Sequence, residues 1–145
     1  MAKKKYKSKS WYKAKLLDIA KKFAKERDEN ICQKTGDYVV GRNAHGSHVV
    51  PVSSGMSLMF DLNNIICLSS YQHIYWWHKD PLAANKWFKE TFPKYYKYLE
   101  GHRNDGWSPS TPELAELYEK ASKAKTWKQY KKLYESCRYG TSITR

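Results

Sequence analysis

Apolar residues recur at helical spacing toward both ends of this chain and at strand spacing only in its middle. Ser10 can cap a helix that carries Leu16, Ile19, Ala20 and Phe23 on one face and Lys15, Lys21, Lys22 and Lys25 on others. A turn at Lys34-Thr35-Gly36-Asp37 followed by Tyr38-Val39-Val40 reads as a hairpin. His48 opens a β-branched run, Val49-Val50, that Pro51 and Gly55 bring to a turn. Asn64 opens a second apolar run, Ile65-Ile66-Cys67-Leu68, and by His73 the pattern changes from strand to helix. Two short antiparallel strands followed by a helix are predicted.

Downstream, Asp80-Pro81 supplies an N-cap and a first-turn proline for a helix through Trp87 and Phe88, which Pro93 ends or kinks. Gly101 to Pro109 reads as loop. A capping box from Ser110 to Glu113 starts a helix with Leu114, Leu117, Tyr118 and Ala121 on one face. Thr126 can cap a last helix whose inward residues are Trp127, Tyr130, Leu133, Tyr134 and Cys137, with a frayed tail from Gly140. The prediction is an α+β protein in which helices outweigh strands: a basic flexible arm at 1–9, then a single domain at 10–145.

Charge sharpens that picture. The chain carries 27 Lys plus Arg against 14 Asp plus Glu, a formal +13, which argues for a polyanionic partner. Residues 1–27 hold eleven basic and two acidic side chains, residues 28–80 three and five, and residues 81–145 thirteen and seven. The positive charge therefore flanks the hairpin region. Lys3, Lys4, Lys5, Lys7 and Lys9 in the arm, with Lys15, Lys21, Lys22 and Lys25 on the first helix, are the candidate nucleic-acid contacts. No run approaches eighteen apolar residues, so no membrane partner is expected. Cys32, Cys67 and Cys137 cannot form a complete disulfide framework, and no secretory pattern is evident, so a cytoplasmic location is expected.

The chemistry lies at the strands. His48 with Val-Val-Pro behind it, Phe60-Asp61-x-x-Asn64, and His73 nine residues after Asn64 form a joint pattern far more specific than any single histidine. This stretch resembles the HNH, or ββα-metal, endonucleases, and its Gly46-x-His48 layout is similar to the phage NinG/Rap-type recombination nucleases. The resemblance covers about Cys32 to Phe92. It implies an HNH core at about 31–80, with C-terminal helices at about 81–139 around it. It also implies a metal-dependent DNA endonuclease in which His48 is the general base, Asn64 braces the hairpin by bonding to its backbone, and His73 holds a divalent metal, Mg2+ or Mn2+. Branched or junction DNA would be the substrate, and a homodimer would cut paired strands together. A phage-encoded protein would act in the host cytoplasm. The alternatives are a non-specific nicking nuclease of the same type and a DNA-binding module of this fold that has lost catalysis.

Where the family has Asp or His before the base, this chain has Ser47, a poor metal ligand; His45, three residues upstream of the base, is the other candidate. His78 lies five residues from His73, about 140° round a regular helix, and reads as a structural or surface histidine. His102 falls in the loop and is expected to do nothing chemical. Thr35 and Ser70 stand where many such proteins complete two cysteine pairs, so Cys32 and Cys67 are expected as small buried residues near each other and no structural zinc is expected. No role is assigned to Tyr75-Trp76-Trp77 or to Trp107.

Overall fold

The computed structural model describes residues 4–140, so Lys3 and the tail beyond Gly140 lie outside the described residues. Helix α1 (Lys9–Arg27) is capped by Ser8, whose hydroxyl accepts from the Trp11 N–H at 3.2 Å. The cap is therefore two residues earlier than Ser10, which sits in the first turn. Tyr12, Leu16, Ala20, Phe23 and Ala24 are buried, and Ile19 is at the margin of that face. The end of α1 registers the strands: Asp28 accepts the Cys67 N–H at 2.9 Å, and the Arg27 guanidinium donates to the Leu62 and Ile65 carbonyls.

Strand β1 (Ala44–His48) pairs antiparallel with β2 (Ile65–Ser69), His48 opposite Ile65 and Ala44 opposite Ser69. His48 thus ends its strand instead of opening it. Val49 donates to the Asn64 carbonyl at 2.9 Å, and the Asn64 side chain then takes both backbone groups of Val50, so the ladder stops one residue after the strand. The expected hairpin upstream is reduced to one bridge, Ile31 with Tyr38.

β2 is apolar from Ile65 to Leu68 because both its faces are covered. Ile65 packs with α1, α5 (Thr111–Lys123) and α6 (Trp127–Tyr139). Ile66, Cys67 and Leu68 pack with α3 (Pro81–Thr91) and α4 (Pro93–His102). Each such buried aliphatic side chain contributes roughly 1.5–3 kcal/mol. The two-stranded sheet is therefore the partition between two helical clusters in an α+β architecture.

α3 starts as expected, with Asp80 accepting from Ala83 and Pro81 in the first turn. Pro93 ends it but also begins α4, since a proline costs no hydrogen bond at a helix start. α4 runs through Gly101 to His102, shortening the expected loop. On α6, Cys137 is exposed, and the position of the inward stripe after Tyr130 and Tyr134 is taken by Arg138. Arg138 donates to the Tyr134 hydroxyl at 2.9 Å and pairs with Asp105 at 3.0 Å, and its guanidinium lies 5.3 Å from the Trp107 ring. The capping box of α5 is complete, Ser110 and Glu113 each accepting the other's backbone N–H. Ser110→Ala is expected to lower stability by about 1 kcal/mol, read as a shifted urea midpoint with an unchanged slope.

Candidate active site

His48 stands at the end of β1, and its Nε2–H donates to the Met59 carbonyl at 2.8 Å. A carbonyl only accepts, so in the neutral ring Nδ1 carries the free lone pair. Burial holds the pKa of His48 below the ordinary histidine value; the Met59 bond opposes this and the charge of Lys21 adds to it. The imidazole is thus held neutral, and a loop fixes its orientation.

Asn64 supports that loop. It is fully buried; its Oδ1 accepts the Val50 N–H at 2.7 Å, and its Nδ2 donates to the Val50 carbonyl at 2.9 Å and the Leu58 carbonyl at 3.1 Å. One side chain therefore ties the exit of β1 to the residue before Met59. Asp61 accepts from the Asn63 N–H at 2.9 Å and from the Tyr98 hydroxyl at 2.7 Å, fastening the same loop to α4. On the other side, the Trp77 indole donates to the His48 carbonyl at 2.9 Å. Trp77 thereby acquires a role that no local pattern announced. Its neighbour Trp76 packs edge-on to Trp87, with Lys34 4.6 Å from the Trp76 ring centre.

His73 follows α2 (Ser70–Gln72) and opens a π-helical stretch, His73–Trp77. In a π-turn the bond runs from residue i+5, and here the His78 N–H donates to the His73 carbonyl at 3.2 Å. Five residues then make close to one turn, so His78 packs edge-on against His73 with ring centres 4.3 Å apart instead of facing away. The expectation for His78 assumed a regular helix, which this segment is not.

His45 meets His73 from β1, Nδ1 to Nδ1 at 2.8 Å, while its Nε2 lies 2.9 Å from the Arg42 carbonyl. The carbonyl forces His45 Nε2 to donate, so His45 Nδ1 accepts and His73 Nδ1 donates. His73 Nε2 is left with its lone pair free. His45 therefore has no nitrogen to spare as a metal ligand; it orients the His73 ring. Burial, then His78, His45, Lys21 and His48, push the His73 pKa down to about 4, leaving the ring neutral near pH 7.

Ser47 is fully buried, and its hydroxyl has no hydrogen-bond partner. Successive side chains of a strand alternate in direction, so Ser47 turns away from the side on which His48 projects, and it offers no ligand to the cavity. Gly46 permits the close packing of α1 on β1: a Cβ there would lie 2.8 Å from Lys21 Cβ. This contact brings Lys21 to a cavity of about 750 Å³ that His48, His73 and His78 also line. The remaining described lysines of the arm and first helix stand apart from it. Lys4, Lys5, Lys7, Lys9, Lys15 and Lys22 are exposed, and the Lys7 and Lys15 ammoniums lie 5.8 and 5.5 Å from the Trp11 ring centre.

Cys32 and Cys67 are both fully buried in one cluster, and the Gln33 N–H donates to the Cys67 carbonyl at 2.9 Å. Burial, then Asp28 and Cys32, push the Cys67 thiol up to about 11. Burial also disfavours a Cys32 thiolate, but hydrogen bonds from Thr35, Ser69 and Lys34 outweigh it and lower that pKa. Among the described residues no group of three or more His, Cys, Asp or Glu side chains is arranged to hold a metal ion. His102 ends α4, with its Nδ1 2.7 Å from Asp105.

No known protein family, curated protein or solved structure matches this chain. Among the described residues no helix is long and apolar enough to cross a membrane. What the sequence pattern did not reveal is the part of the site supplied from a distance. Lys21 was expected as a nucleic-acid contact on the first helix and not as a neighbour of His48 and His73, and Met59 contributes through its backbone, which carries no residue signature.

Proposed function

We propose that this protein is a metal-dependent DNA endonuclease of the HNH type, hydrolysing phosphodiester bonds at the His48/His73 cavity. One observation carries the reading: a strand histidine with a free, neutral Nδ1 and a helical histidine with a free Nε2 line the same cavity as a lysine. His48 Nδ1 takes the proton of the attacking water as it bonds to phosphorus, the P–O3′ bond breaks, and the 3′ oxygen leaves as a hydroxyl after protonation by solvent. Lys21 lowers the cost of bringing the phosphate in. Asn64 and Met59 keep the base from drifting, which is where positioning lowers the barrier.

His73 would hold the divalent metal, with His78 beside it and water and phosphate oxygens completing the shell; bound there, it would stabilise the charge that develops on the leaving oxygen. This fits a weakly held ion, because the available donors are two imidazoles. Imidazole nitrogen is a poorer partner for Mg2+ than for first-row transition metals, among which affinity rises from Mn2+ onward. Incubating the protein with supercoiled plasmid tests the reading: nicking or cutting is expected with Mn2+, less with Mg2+, and none with chelator. His73→Ala should remove the metal response, and His45→Ala should move its midpoint to higher metal concentration. Intact plasmid under every metal would leave the second reading, a DNA-binding module without catalysis, which the buried Ser47 hydroxyl and the sparse donor set favour.

The flanks supply DNA affinity. Changing Lys4, Lys5 and Lys7 to glutamine spares the Ser8 cap and should flatten the log-log salt dependence of binding by about 0.9 for each phosphate that is no longer neutralised. A preference for branched DNA, and a dimer to cut it, are parts of the same proposal. Equal cleavage of a four-way junction and a linear duplex of the same sequence would remove both.

A further inference from the structure

The cavity beside the histidines is larger than a phosphodiester group requires. At about 750 Å³ it falls in the range of sites that take whole small molecules. Its walls differ in chemistry. α1, β1 and the π-helical stretch contribute Lys21, His48, His73 and His78, whereas the turn after β1 and helices α3 and α4 contribute Val50, Val52, Leu82, Ala84, Tyr96 and Leu99. Leu82 is 84% exposed, a large apolar surface that folding leaves in water.

We propose that the apolar wall receives an unpaired nucleoside of the strand being cut, an assignment that rests on the nuclease reading above. A nucleobase and its sugar present flat, weakly polar faces of the kind that bury against aliphatic and aromatic side chains. Two cations line the site, Lys21 on α1 and Arg103 just after α4, and supply positive charge for the phosphates of a bound nucleotide. Glu100 on the second wall disfavours another phosphate there and can accept from a base N–H. In a regular duplex every base is paired and stacked, so only the sugar-phosphate edge reaches the histidines and the apolar wall stays wet. Extruding a paired base costs free energy that an unpaired one does not. The site therefore selects DNA with an unstacked nucleotide beside the scissile phosphate, as at a bubble, flap or junction.

Two measurements test this. First, the protein is titrated with thymidine 5′-monophosphate and, separately, with inorganic phosphate, following backbone resonances by NMR. The nucleotide should shift Leu82, Ala84 and Leu99, phosphate should not, and Leu82→Asn should weaken nucleotide binding severalfold. Leu82 is exposed, so that variant is expected to fold. Second, cleavage within a single-stranded bubble should exceed cleavage of matched duplex by roughly tenfold or more, and Leu82→Asn should narrow that ratio. Nucleotide shifts identical to those of phosphate, or equal rates on bubble and duplex, would overturn the proposal. So would a single-chain phospholipid that shifts the apolar wall where the nucleotide does not. Nucleotide binding at that wall with no cleavage of any DNA would uphold the nucleoside site and sink the nuclease reading instead.

Discussion

The His48→Ala variant is expected to lose DNA cleavage by roughly 10²–10⁴-fold, the usual contribution of a positioned general base. DNA binding should stay within about twofold, because most of the affinity is proposed to come from phosphate contacts made by the flanking lysines. The wild-type pH profile provides an independent readout. In the proposed mechanism His48 acts when neutral, and burial, helped by Lys21, holds its pKa below the ordinary histidine value. Activity should therefore persist as the pH falls through that ordinary value and decline only below it, and the decline should vanish in the residual activity of His48→Ala. A variant that cuts at the wild-type rate, or a wild-type profile already falling above pH 7, would show that another group is the base.

Replacing Asn64 with alanine should cause the largest loss of stability of any single polar substitution in the hairpin. The change leaves the Val50 N–H, the Val50 carbonyl and the Leu58 carbonyl without their partner. Unsatisfied buried groups cost about 1–3 kcal/mol each, so a total of roughly 3–5 kcal/mol is expected, against typical domain stabilities of about 5–15 kcal/mol. Thermal unfolding followed by circular dichroism should show the midpoint falling by about 10 °C or more. A drop under about 2 °C would mean that water replaces the side chain at little cost. Where the protein still folds, activity should fall too, since the Met59 carbonyl that fixes the tautomer of His48 lies in the loop that Asn64 holds.

The sequence by itself determined the parts of this protein that depend on neighbours a few residues apart. Ser110 and Glu113, Asp80 and Pro81, and Thr126 set helix starts because a cap satisfies backbone groups within one turn. The apolar run Ile65–Leu68 was legible as a strand since burial on both faces leaves no polar position in it. His48, Asn64 and His73 could be picked out together because their spacing follows from one hairpin and the helix after it. Tertiary structure decided what each of them faces. Helix α1 brings Lys21 to the site only because Gly46 has no side chain to hold it off. His45 turned out to orient His73, because whether its nitrogens are free depends on the Arg42 carbonyl and on a ring 28 residues away. A π-turn moved His78 onto His73, and its rotation per residue is not encoded in any periodicity of the apolar positions. The apolar wall of the cavity joins the turn after β1 to α3 and α4, segments with no local reason to meet; their packing into one core brought them together.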